Sequence, residues 1–216
     1  MHVKFCGFTQ LSDIHTAIRL GVDAVGLVFY PPSPRAVTPM QAKTLSAAVP
    51  AFMSVVALVV NMPKDELVEL ANTVPFDIIQ FHGDEAPEEC EQLARAVNKR
   101  WIKALRINAE QHTLDSVRAQ IDNFAAAGAS SILLDAYHQH KYGGTGARFD
   151  WSLIPEDSAL PIILAGGLDA NNVASTSALP IYAVDVSGGI EQDKGKKDAA
   201  KMRAFMKAVK RDRWQN

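Results

Sequence analysis

Cys6 stands at the end of a short apolar run, VKFCGFT over residues 3–9, which breaks at Gly7. A free cysteine is most often a small buried residue, yet at a strand end it can also be a thiolate that does chemistry. Other ionisable residues occupy equivalent places along the chain. Arg35 lies in YPPSPRAVTP, His82 follows DIIQF, Arg106 follows WIKAL, Asp135 closes SILLD and Asp185 lies near the end of YAVDV. A carboxylic acid that gives a proton and a thiolate that removes one make an acid–base pair, and arginines beside them suit an anionic substrate.

Glycine pairs add to this. Gly166 and Gly167 end one apolar run in LAGGL, and Gly188 and Gly189 follow Ser187 after the next, in VSGGIE. A Gly-Gly on its own is a tight turn. Two pairs at successive strand ends point to backbone amides that close on a phosphate. GGTG at 143–146, with Gly144, is a third contact or a lid hinge, and matches neither a Walker A nor a dinucleotide fingerprint. Cys90 is the internal control: with Leu93, Ala94 and Val97 it forms one helical face and reads as core. His15, His112, His138 and His140 lack a compelling ligand spacing, so no metal is expected.

These residues need elements to position them. Eight short β-rich runs recur, at 3–6, 24–29, 54–60, 77–81, 101–105, 131–135, 161–165 and 182–186, several of them almost wholly apolar as strands buried on both faces are. Helical patterns sit between most of them. Ser12 is the expected cap of a helix that Gly21 stops, and Thr38, Pro39 and Gln41 form a capping-box start. Further helices are expected over 64–72, 87–97, 113–128 and 197–211, while 136–155 reads mostly as loop. An open doubly wound sheet and a closed barrel both fit. The barrel is favoured because the last strand is followed by a helix. The expected fold is α/β, a single (β/α)8 TIM barrel as one domain over 1–216, with its active site at the C-terminal ends of the strands.

Composition is that of an ordinary globular chain: 216 residues, 48% hydrophobic and 21% charged, with a net charge of −2. Nothing in it attracts nucleic acid or an anionic membrane. Two distant cysteines suit a reducing compartment, and the apolar start is too short for a signal peptide, so a cytoplasmic location is expected.

Taken in order, KFCGFT, GVDAVGLVFYPPSPRAVTP, IIQFHGDE, KALRI, LLDAYHQHKYGGTGARFDW, LAGGLDANNV and DVSGGIE strongly resemble the phosphoribosylanthranilate isomerases. The resemblance runs from about residue 3 to the C-terminal helix and implies a (β/α)8 barrel enzyme of tryptophan biosynthesis. It implies an Amadori rearrangement of a phosphorylated small molecule, with Cys6 as general base, Asp135 as general acid, Arg35 near the anthranilate carboxylate and the glycine turns on the phosphate. The chemistry has no redox or metal step and calls for no cofactor. Relatives occur as monomers, dimers and domains of fused enzymes, so a monomer or homodimer is expected. One departure stands out: the family often has Ser-Ser-Gly where Ser187-Gly188-Gly189 stands here. The histidine-pathway isomerase is the nearest rival, but it has an aspartate in place of Cys6. An aldolase would need a Schiff-base lysine, for which Lys103 is the candidate. A non-catalytic phosphosugar-binding barrel would have lost its acid or its base, and both are here.

Overall fold

The computed structural model describes residues 1–108, 110–136 and 150–213. Eight parallel strands close into a barrel in the order of the chain: β1 (His2–Cys6), β2 (Ala24–Phe29), β3 (Ser54–Val59), β4 (Ile78–Phe81), β5 (Arg100–Ile107), β6 (Ser131–Ala136), β7 (Ile162–Leu164) and β8 (Ala183–Val186). β8 pairs back onto β1, His2 opposite Ala183 and Phe5 opposite Val186. Every strand falls on an apolar run predicted from the sequence. β5 extends furthest beyond its prediction, ending at Ile107, so that Arg106 is its penultimate residue.

Side chains alternate across each strand. The outward set, including Phe5, Leu27, Val59, Phe81 and Trp101, packs under the helices in the main core. Phe5 meets Phe205 edge-to-face at 5.8 Å, and Trp101 sits between Phe81 at 5.8 Å and Phe124 at 6.3 Å. Burying each such ring stabilises the fold by about 1.5–3 kcal/mol relative to exposing it. The inward set divides into two layers. Ile102, Ala104, Leu133, Ile163, Ala165 and Ala183 fill one part of the barrel, while Cys6, Val28 and Leu58 form a separate apolar cluster flanked by Tyr30 and Val60.

Helices α1 (Leu11–Leu20), α2 (Pro39–Ala47), α3 (Lys64–Thr73), α4 (Pro87–Ala96) and α5 (Leu114–Ala126) follow the first five strands, and α6 (Ala199–Arg213) ends the described chain. Thr38 and Gln41 make the expected capping box, at 3.3 and 2.9 Å. Gly21 ends α1 with a φ of 68°, a conformation that favours glycine. Ser12, however, is not the cap of α1. The helix starts from Gln10 without a side-chain cap, and Ser12 lies in its first turn. Tertiary bonds fix this start instead: the Thr9 hydroxyl donates to the Gly195 carbonyl at 2.6 Å, and Asp13 accepts the Lys197 amide at 3.2 Å.

One further correction concerns the end of the chain. Between β7 and β8, where no helix was expected, lies a 3₁₀ turn, Val173–Ala178. After β8 come a 3₁₀ turn, Gly188–Ile190, and a small hairpin of β9 (Glu191–Asp193) and β10 (Lys196–Lys197). Lys197, expected to open the last helix, therefore belongs to the hairpin, and Asp198 accepts the Ala200 and Lys201 amides at the start of α6. Gly144, His138, His140 and most of the expected 136–155 loop lie outside the described residues.

Candidate active site

A cavity of about 340 Å³ opens at the C-terminal ends of the strands. Cys6, Arg35, His82, Asp135 and Asp185 all line it, as do Gly166, Gly167, Ser187, Gly188 and Gly189. Parallel strands bring these residues together from six positions spread across the chain. Arg106 takes a different place: its guanidinium pairs with Asp84 and it is absent from the cavity lining.

Cys6 ends β1, buried and without a disulfide. Burial pushes its thiol above the ordinary value. Lys4 and Lys197 act against that rise, and Asp185 adds to it. Besides Arg35, the cations that bear on the thiol are two lysines not among the candidates drawn from the sequence. Lys4 lies two residues earlier on the same inward face and pairs with Asp185 at 3.0 Å. Lys197 donates to the Cys6 carbonyl at 2.5 Å and to Glu191 at 2.8 Å.

Across the cavity, Asp135 is the penultimate residue of β6 and is buried. Its Oδ2 lies 3.4 Å from His82 Nε2. Gln80 holds the opposite side of that ring, its amide nitrogen 3.0 Å from Nδ1. With the amide donating, Nδ1 accepts, and Nε2 is the ring nitrogen turned toward the carboxyl group.

Arg35 is anchored by a two-pronged pair with Glu191: Nε donates to Oε1 and Nη2 to Oε2, each at 2.7 Å. Burial opposes ionisation of Glu191, but hydrogen bonds from Arg35 and Lys197 outweigh it and hold the carboxyl below its ordinary value. Of the five guanidinium donors, those on Nη1 make no hydrogen bond among the described residues. Beside them Val28, Tyr30, Leu58 and Val60 give the cavity an apolar wall.

The glycine turns close the opposite wall. Gly166 and Gly167 have φ values of 82° and 65°. A Cβ on Gly189 would lie 1.9 Å from the Leu168 carbonyl oxygen, so the two loops fit together only with glycine there. Ser187 is used internally, its hydroxyl donating to the Cys6 carbonyl at 2.9 Å. Lys103 faces the other way. It lies on the outer side of β5, bound to Glu85 at 2.7 Å and the Gly83 carbonyl at 2.9 Å, away from the cavity. The aldolase reading therefore loses its candidate lysine. Cys90 is core, as expected, with its thiol pushed by burial up to about 12.

Comparison with known proteins agrees with this geometry. Residues 3–208 match the model of the family described as N-(5'phosphoribosyl)anthranilate (PRA) isomerase. The N-(5'-phosphoribosyl)anthranilate isomerase of Pseudomonas putida strain F1 is 50% identical over 208 residues, 96% of each chain. Among solved structures, phosphoribosyl anthranilate isomerase from Thermotoga maritima superposes with a TM-score of 0.85 at 34% identity, covering 97% of this chain and 98% of that one. A phosphoribosyl anthranilate isomerase in complex with reduced 1-(o-carboxyphenylamino)-1-deoxyribulose 5-phosphate gives a TM-score of 0.82 at 33% identity, covering 97% and 98%.

Proposed function

The chain belongs to the phosphoribosylanthranilate isomerases, enzymes of tryptophan biosynthesis, and on that premise we propose that its cavity carries out an Amadori rearrangement with Asp135 as acid and Cys6 as base. One observation carries the reading: a buried carboxyl group and a buried thiol, from strands β6 and β1, face one cavity whose remaining wall is built from glycine turns.

The substrate, N-(5-phosphoribosyl)anthranilate, has three parts, and the cavity has a place for each. Backbone amides of the turns at Gly166–Gly167 and Gly188–Gly189 take the phosphate. Since Ser187 is bonded to the Cys6 carbonyl and Gly188 has no side chain, that grip falls on main-chain donors. The aromatic ring packs on Val28, Leu58 and Val60, and its carboxylate meets the free arm of Arg35. The ribose then spans the space between Asp135 and Cys6.

Chemistry begins with a proton from Asp135 to the ring oxygen. The C1–O bond breaks and the nitrogen lone pair forms a protonated imine at C1. That cation acidifies the hydrogen on C2, which the Cys6 thiolate removes. The enolamine tautomerises, giving the ketone at C2 of 1-(2-carboxyphenylamino)-1-deoxyribulose 5-phosphate. His82 Nε2–H faces Asp135 Oδ2 and supports the carboxylate left after the first step. Each proton transfer by a placed side chain contributes roughly 10²–10⁴-fold.

The test is turnover of freshly prepared N-(5-phosphoribosyl)anthranilate, followed by loss of its fluorescence. Saturable loss proportional to protein concentration is expected. A folded protein that leaves the signal at its spontaneous rate would refute the assignment.

A further inference from the structure

Lys4 has no role in the chemistry above. Its side chain is buried inside the barrel, and an ammonium there costs several kcal/mol unless it is well paired. Its partner Asp185 is only half satisfied. Oδ2 takes Lys4 at 3.0 Å, while Oδ1, though buried, has no hydrogen-bond partner among the described residues. An apolar pair would fill this space at lower cost.

The space around Lys4 points to its use. β1 pairs with β2 so that Cys6 stands opposite Gly26. A Cβ on Gly26 would lie 2.6 Å from the Cys6 sulfur and 3.2 Å from Lys4 Cε. Glycine on β2 therefore leaves the space that the Cys6 sulfur and the Lys4 stem share inside the barrel. We propose that Lys4, held by Asp185, is a positioning residue whose fixed ammonium stabilises the Cys6 thiolate, so that the base is set by a buried Lys–Asp pair beneath it.

The charged groups that face Cys6 are Lys4 on its own strand, Asp185 on β8, Lys197 on β10 and Arg35 in the loop after β2. Lys197 and Arg35 are each engaged by Glu191. Lys4 and Asp185 stand nearest in effect, and they act in opposite directions on the thiol. That opposition gives the proposal its test.

The proposal rests on Cys6 being the base, but its readout is independent of turnover. Alkylation of Cys6 by iodoacetamide is followed against pH by peptide mass mapping, which separates it from the core thiol Cys90. Relative to wild type, Lys4→Met is expected to move the midpoint up by about one pH unit or more, and Asp185→Asn to move it down. Lys4→Met/Asp185→Asn leaves no unpaired buried charge and covers the case in which a single variant fails to fold. Its midpoint is expected to rise, by less than that of Lys4→Met. Shifts of the same sign in both singles, no shift in either, or an unmoved or lowered midpoint in the double variant would overturn the proposal. If turnover survives in Cys6→Ser, the base assignment fails while the alkylation shifts still stand. If Cys6→Ser is inactive and the shifts are absent, only the pairing fails.

Discussion

At the scale of the residue, the site depends on side chains whose ionisation is set by what they touch. Burial pushes the Cys6 thiol up, against the pull of Lys4 and Lys197. The base then becomes available as pH rises, and kcat is expected to climb on the alkaline side of neutrality; a flat profile between pH 7 and 9 would count against a thiolate base. Arg35 offers a second prediction. Lysine cannot hold both Glu191 oxygens and still present a free arm, so Arg35→Lys is expected to raise KM about tenfold or more with kcat changed less. Equal losses in both constants in steady-state kinetics would place Arg35 in the chemical step instead. The acid and the base were legible in the sequence because each closes an apolar run. Lys4, Lys197 and Glu191 were not. Lys4 is hidden inside a strand, where only the inward alternation with Cys6 signals it. Lys197 and Glu191 act through a hairpin that no hydrophobic period announces.

Among the elements, the loops after β7 and β8 work as a unit. Gly189 packs against the Leu168 carbonyl so closely that a methyl group must push the loops apart. Gly189→Ala is therefore expected to raise KM for the phosphorylated substrate at least tenfold. An overpacking cost of about 1–3 kcal/mol in stability should accompany it, read by urea unfolding. An unchanged KM would mean that the turns do not hold the phosphate. The hairpin from Glu191 to Lys197 has the same joining role. It ties Arg35, the Cys6 carbonyl and the start of α1 together through Glu191, Lys197 and Gly195. This is also why α1 begins where it does. Local capping rules found the start of α2, whose Thr38 and Gln41 act within one turn. They failed at Ser12, because the bonds that set α1 come from residues more than 180 positions away. The 3₁₀ turn after β7 was missed for a related reason: VASTSA is short and rich in residues that compete with helix hydrogen bonds.

For the molecule as a whole, eight strands in chain order place seven segments around one cavity. That architecture was readable because both-face burial leaves near-continuous apolar runs with helical patterns between them. The same burial makes stability depend on pH. The Cys90 thiol is carried up to about 12 by burial, from an ordinary value of 9.0. The folded chain then binds more protons than the unfolded chain between those values, so this contribution is complete below about pH 9 and is lost as pH rises toward 12. Thermal unfolding should show a midpoint that falls above pH 9, and less steeply in Cys90→Ala. An equal fall in both proteins would assign the alkaline loss to other groups.

The account stands most directly on the division of labour between Cys6 and Asp135. The decisive measurement is the turnover of freshly prepared N-(5-phosphoribosyl)anthranilate by wild type, Cys6→Ser and Asp135→Asn, each shown by circular dichroism to be folded. The account predicts a fall of roughly 10²-fold or more in kcat for each variant, with KM changed by much less. Near wild-type turnover in either variant would contradict it.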